Sequence, residues 1–131
     1  MATSPSYASV PLAPDIITIS TANPNRDGSG TIASLTTGTT NGVVTEQIRV
    51  TAQGNTTAGM IRFFLSKDGG ATKVLLLEQV VPPNVAGASA SAWSATIDAL
   101  TGMTLQGTNT ILYVATNNAE AFNVFHHKAG L

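Results

Sequence analysis

The chain has 131 residues, with Lys+Arg 6 against Asp+Glu 7, and charged side chains make up only 10% of it, well under the roughly 25% of an average globular protein. A hydrophobic content of 43% at net charge -1 excludes disorder of the high-charge kind, and six scattered cations are too few to track a run of phosphates. No apolar stretch approaches the ~20 residues that span a bilayer, and with Cys 0 disulfides, thiolate nucleophiles and thiolate metal sites are excluded together.

Residues 1–14 carry Pro5, Pro11 and Pro14 among small and hydroxylated side chains. Proline removes ladder donors and pushes its predecessor toward extended geometry, which predicts an extended N-terminal arm. Tyr7, Val10 and Leu12 are its large apolar side chains besides Met1, and they are the candidate anchors for a partner. The first ten residues lack the basic residue and apolar run of a signal peptide, so synthesis and assembly in a cytoplasm are expected.

From Asp15 to the end the pattern is strand, turn, strand. Ile16–Ser20 is β-branched and runs into Asn23-Pro24-Asn25, and Asp27-Gly28-Ser29-Gly30 punctuates before Thr31–Thr37. After the Asn41-Gly42 turn, Val43–Gln53 alternates. Val44, Ile48, Val50 and Ala52 fall on one face and Thr45, Gln47, Arg49 and Thr51 on the other, with Glu46 breaking the apolar side. Asp68-Gly69-Gly70 supplies the positive φ of a tight turn and predicts that Met60–Ser66 pairs with Lys73–Val81. Pro82-Pro83 stops that strand, and a small-residue loop leads to Trp93–Asp98, with Trp93 expected in the core. Met103–Leu105, Thr110–Thr116 and Phe122–His126 complete the set.

Eight or nine short strands with regular turn signals predict an all-β fold. We read it as an antiparallel, jelly-roll-like β-sandwich over residues 15–131, preceded by the arm at 1–14.

Little of the chemistry reads as catalytic. His126 and His127 are adjacent, so a strand points them to opposite faces; they read as a surface pair with no carboxylate nearby in sequence. Asn23–Gly28 imitates the first half of a calcium loop, but Ser34 falls where the bidentate Glu is required. A turn in which Asn and Asp bond their own backbone is the expected reading. Carboxylates are scattered, no serine sits in a nucleophile elbow, and there is no nucleotide loop. The reading is non-enzymatic, with no cofactor and no metal.

Apolar residues occur on both faces of Ile61–Leu65, Val74–Leu77 and Ile111–Val114. A two-layer sandwich leaves one face wet, so these outer faces need a cover: the chain's own loops and arm, or another subunit. Weak charge favours the second and predicts a homo-oligomer.

The runs Ile19–Thr31, Gly38–Gly42, Ile48–Ala52, Thr56–Phe63 and Ala115–Val124 resemble those of small proteins encoded beside the structural genes of tailed bacteriophages. The resemblance spans roughly residues 16–125, leaves the arm outside, and carries over no catalytic or ligand residue. It implies a virion component, a capsid decoration (cement) protein on the capsid exterior whose partners are the major capsid protein and itself. Threefold sites on icosahedral lattices favour a trimer, and neither nucleic acid nor membrane is an expected partner. The reading from another class is a glycan- or receptor-binding module of a tail or fibre, which needs exposed aromatics, and aromatic content is only 5%.

Overall fold

The computed structural model describes residues 10–131. Among them ten strands form: β1 (Val10–Pro11), β2 (Asp15–Ile19), β3 (Ala33–Thr37), β4 (Val43–Ala52) and β5 (Gly59–Ser66), followed by β6 (Val74–Val81), β7 (Ser94–Thr96), β8 (Thr104–Leu105), β9 (Ile111–Thr116) and β10 (Phe122–Gly130). A 3₁₀ turn at Asp98–Leu100 links β7 to β8. The fold is all-β, with two antiparallel sheets facing each other.

The pairing is nested. β2 lies against β10, β3 against β9, β4 against β7 and β8, and β5 against β6. The chain is thus one long hairpin, its first half paired in reverse order with its second. Rolled up, alternate rungs fall into different layers, giving the orders β2-β10-β4-β7 and β3-β9-β5-β6. β1 prolongs the β2 edge along β10, pairing Val10 with Gly130 and Pro11 with Ala129. Ile48, Val50, Phe122 and Val124 from the first sheet meet Ile61, Phe63, Leu112 and Val114 from the second, all essentially inaccessible. Each fully buried side chain of this size contributes roughly 1.5–3 kcal/mol of hydrophobic stabilisation.

The expected alternation of β4 is corrected by a bulge. Thr45 stands opposite Lys128 and Gln47 opposite His127, so Glu46 has no partner on β10. One extra residue reverses the alternation. Val43 and Thr45 point inward before the bulge, and Ile48, Val50 and Ala52 point inward after it. Glu46 is therefore not a charge on an apolar face, and Thr45, expected outside, is buried.

β5 and β6 pair as expected, but the connection is wider than a tight turn. Register ends at Leu65–Val74, and residues 67–73 make a loop held by Ser66 Oγ accepting from Gly70 N and Asp68 Oδ1 accepting from Thr72 N. Gly69 and Gly70 have φ of 75° and 99°, a region costly for residues with a Cβ. A Cβ on Gly70 would also meet Tyr113 Oη at 2.5 Å.

The outer face of β5 is covered from within the chain. The segment between β2 and β3 crosses its sheet diagonally. Asn23 N donates to Thr116 O on β9, Arg26 reaches Glu78 on β6, and Gly28 packs against Lys73. Arg62 and Phe64, which alternate outward from the core residues Ile61 and Phe63, are both buried. Over β5 the cover is the protein's own loop rather than the expected second subunit. Val74, Leu76 and Val80 on β6, and Ile16 on β2, remain exposed.

Candidate functional site

Of the three anchors expected in the arm, Tyr7 lies outside the described residues. Val10 and Leu12 form the arm's root. Val10 sits on β10 beside Gly130, where an added Cβ would come within 3.1 Å of the Val10 Cβ; the glycine lets the valine settle. Val10 remains 48% exposed, and Leu12 is half-buried. The root is thus pinned by backbone pairing while its apolar side chains keep surface to offer.

Beneath the root lies a polar cluster inside the sandwich, and it corrects the reading of the histidines. The two rings do point to opposite faces, but only His127 is at the surface, 3.4 Å from Glu46. His126 is fully buried. Its register partner on β2 is Asp15, 111 residues away in the chain. A carboxylate only accepts, so in the neutral ring Nδ1–H donates to Asp15 Oδ2 at 3.3 Å, and Nε2 accepts from the Thr45 hydroxyl at 2.9 Å. Lys128 Nζ lies 2.9 Å from the same Asp15 oxygen. Thr36, from the facing sheet, makes no hydrogen bond of good geometry through its buried hydroxyl, yet lies near enough to help hold the Asp15 carboxyl down.

Burial and partners pull these groups in opposite senses. Burial alone would raise the Asp15 carboxyl, but hydrogen bonds from Lys128 and His126, the nearby Thr36 hydroxyl and the Lys128 charge hold it below its ordinary value. For His126 burial dominates and pushes the ring down, aided by the charges of Lys128 and His127 and opposed by Asp15. The cluster at neutral pH is one carboxylate, one ammonium and one uncharged imidazole.

Carboxylate, imidazole and hydroxyl in this order have the connectivity of a nucleophilic triad. The hydroxyl here is enclosed: Thr45 is 1% exposed and His126 is 0% exposed. Two depressions of the described surface are lined by other residues. The cluster ties β2, β4 and β10 together at one end of the core.

A second polar cluster was not foreseen in the sequence. Arg62 is 2% exposed. Its Nε donates to Glu78 Oε2 at 2.8 Å, and Nη1 donates to Asn23 O and Asn117 Oδ1. Arg26 Nε reaches the same Glu78 oxygen at 2.9 Å. The Arg62 hydrogen bond is the main reason the Glu78 carboxyl is held below its ordinary value. Apolar neighbours in Ile61–Leu65 signalled a two-faced strand; a cation there signalled that something polar must cross it.

The calcium-like segment is a turn. Asn23 Nδ2 donates to Ser29 O and Thr31 O, and Asn23 Oδ1 accepts from Asn25 N. Asp27 Oδ1 accepts from Ser29 N, and Gly28 has φ 87°. These side chains serve their own backbone. Among the described residues no group of three or more His, Asp or Glu is placed to hold a metal ion. Trp93 packs edge-on against Phe122, with ring centroids 6.0 Å apart, half-buried against the core as expected.

No protein-family model matches the chain, and no curated protein is a match for it in sequence. The functional reading rests on the residues themselves.

Proposed function

We propose that this chain is a non-enzymatic virion structural protein, a decoration protein that binds the major capsid protein on the capsid exterior and associates with itself, most simply as a trimer. The observation that carries the reading is the arm's root: among the described residues Val10 and Pro11 pair with β10, and Val10 stays half-exposed beside that pairing. A rigid sandwich with such an extension reaches across a subunit boundary at about 3.3 Å per residue. The strand orders β2-β10-β4-β7 and β3-β9-β5-β6 are compatible with the jelly-roll-like sandwich expected from the sequence, an architecture that recurs in viral capsid and lectin domains. That recurrence supports a capsid role by analogy of fold.

Between the capsid and lectin readings the aromatic residues favour the first. Trp93 is turned toward Phe122, and Tyr113 lies beneath Lys73, whose Nζ is 5.1 Å from the ring centroid. Trp93 is half-buried in that contact, and the Tyr113 ring carries a cation over one face. The reading is tested by co-sedimentation of the full chain with empty, undecorated capsids of the phage that encodes it. Saturable binding and a higher capsid melting temperature are expected. Failure to bind capsids, with retention on a glycan array, would replace it by the receptor-binding reading.

A further inference from the structure

Among the described residues an apolar depression lies at the opposite edge from the arm's root. It is an open groove of about 470 Å³ lined by Leu65, Lys67, Asp68, Thr72, Val74 and Leu76, within the range of ligand-binding clefts. β6 is the outermost strand of its sheet, so one side of its backbone has no strand partner. The strands at the same edge of the facing sheet, β7 and β8, have only three and two residues, which leaves Val74 59% and Leu76 39% exposed. No proline or lysine interrupts Val74–Val81; a bulge leaves Leu76 without a register partner on β5, between Leu75 and Leu77.

We infer that this groove receives the N-terminal segment of a second copy of the chain, with Tyr7 as the inserted side chain. The inference rests on the self-association proposed above and names its contact. Residues 2–9 carry no charged side chain, matching an apolar groove whose rim holds one cation and one anion. Lys67 makes no ion pair among the described residues, and its ammonium beside the groove suits an aromatic ring.

Geometry favours a neighbour's arm over the chain's own. Within its sheet β1 is three strand spacings from β8, about 14 Å, and the groove lies a further sheet separation of about 10 Å away. Tyr7 is three residues before Val10, a reach of at most about 11 Å. A subunit's own arm would have to run fully extended across the end of the sandwich to bring Tyr7 toward its own groove, a limit that does not bind a neighbour's arm. Contact between an arm at one edge and a groove at the other is head-to-tail, and such contacts form a ring, a trimer included, where the rotation between copies closes.

The absence of native cysteine permits a direct test in solution without capsids. Tyr7→Cys and Leu76→Cys chains are purified separately, mixed at micromolar concentration and oxidised, with Val85→Cys (78% exposed) replacing Leu76→Cys as control. A disulfide-linked pair between Tyr7→Cys and Leu76→Cys chains is expected, at a yield at least about tenfold above the control, from the effective concentration of a docked segment. Equal linkage to Val85→Cys, or no linkage, overturns the inference. So does a Tyr7→Cys/Leu76→Cys double variant that closes only within one chain. The outcome is independent of capsid binding, so this contact and the decoration role fail separately.

Discussion

Arg62 and His126 sit in facing sheets, each buried, and each holds an early segment of the chain in place. Arg62 clamps the crossing loop through Asn23 O and shares Glu78 with Arg26. His126 clamps β2 through Asp15 and β4 through Thr45. The difference is permanence of charge. A guanidinium stays protonated at any pH a protein survives, whereas a buried imidazole is neutral and can be forced to charge. Two clamps of similar reach should therefore fail under different insults: one to truncation, the other to acid.

Arg62→Ala should show the larger effect. It strands Asn23 O and Asn117 Oδ1 and leaves a hole under the loop. Glu78 keeps Arg26 and is partly exposed, which softens the loss below that of a wholly buried pair. The expected cost is about 2–4 kcal/mol, read as a lower denaturant midpoint at an unchanged m-value. A loss under about 1 kcal/mol would mean that the loop holds itself without the clamp.

Gly70→Val tests the hairpin loop that carries the groove's rim. The positive φ and the Tyr113 hydroxyl both oppose a side chain there, so a destabilisation of about 2 kcal/mol is expected. Gly69→Val meets the same φ but only Asn109 Oδ1 at 3.6 Å, and should cost less. Equal melting temperatures for the two variants would show that the Tyr113 contact yields.

The pH response separates the clamps most cleanly. His126 is held below its ordinary value of 6.5, so the unfolded chain binds the extra proton first. Stability is full above that value and falls as pH drops below it, by at most about 1.4 kcal/mol per pH unit, until the folded ring also protonates. Asp15 and Glu78 are also held down, from 3.8 and 4.5; their contributions are lost only below those values. Between about pH 7 and about pH 5 the slope should therefore come from His126, and His126→Gln should flatten it while Arg62→Ala leaves it intact. An unchanged slope in His126→Gln would assign the acid response to another group.

Much of the fold was legible in the sequence because strands and turns are written locally. β5 and β6 were located by two apolar runs around Asp68-Gly69-Gly70, and β9 by its apolar content alone. What was hidden depends on contacts across the chain. His126 looked like a surface residue because its partner Asp15 is 111 residues away. Thr45 looked exposed because a single unpaired residue, Glu46, reverses the alternation before it. The two-faced apolar character of Ile61–Leu65 is plain in the sequence, but the sequence does not say that the chain's own loop covers it. The covering loop is polar, and only the position of Arg62 hinted at it. Of the expected anchors, Val10 pairs with β10 of its own sheet, and Leu12 follows β1 half-buried.

That root sharpens the test of the arm. Deleting residues 2–9 leaves every described contact in place, whereas deleting 2–13 also removes β1 from β10. The decisive measurement is capsid binding by the chain lacking residues 2–9, with its melting temperature recorded alongside. The account predicts a melting temperature within a few degrees of the full chain and a loss of capsid affinity of at least about tenfold, some 1.4 kcal/mol or more. Undiminished binding and stabilisation of capsids by the shortened chain would contradict it.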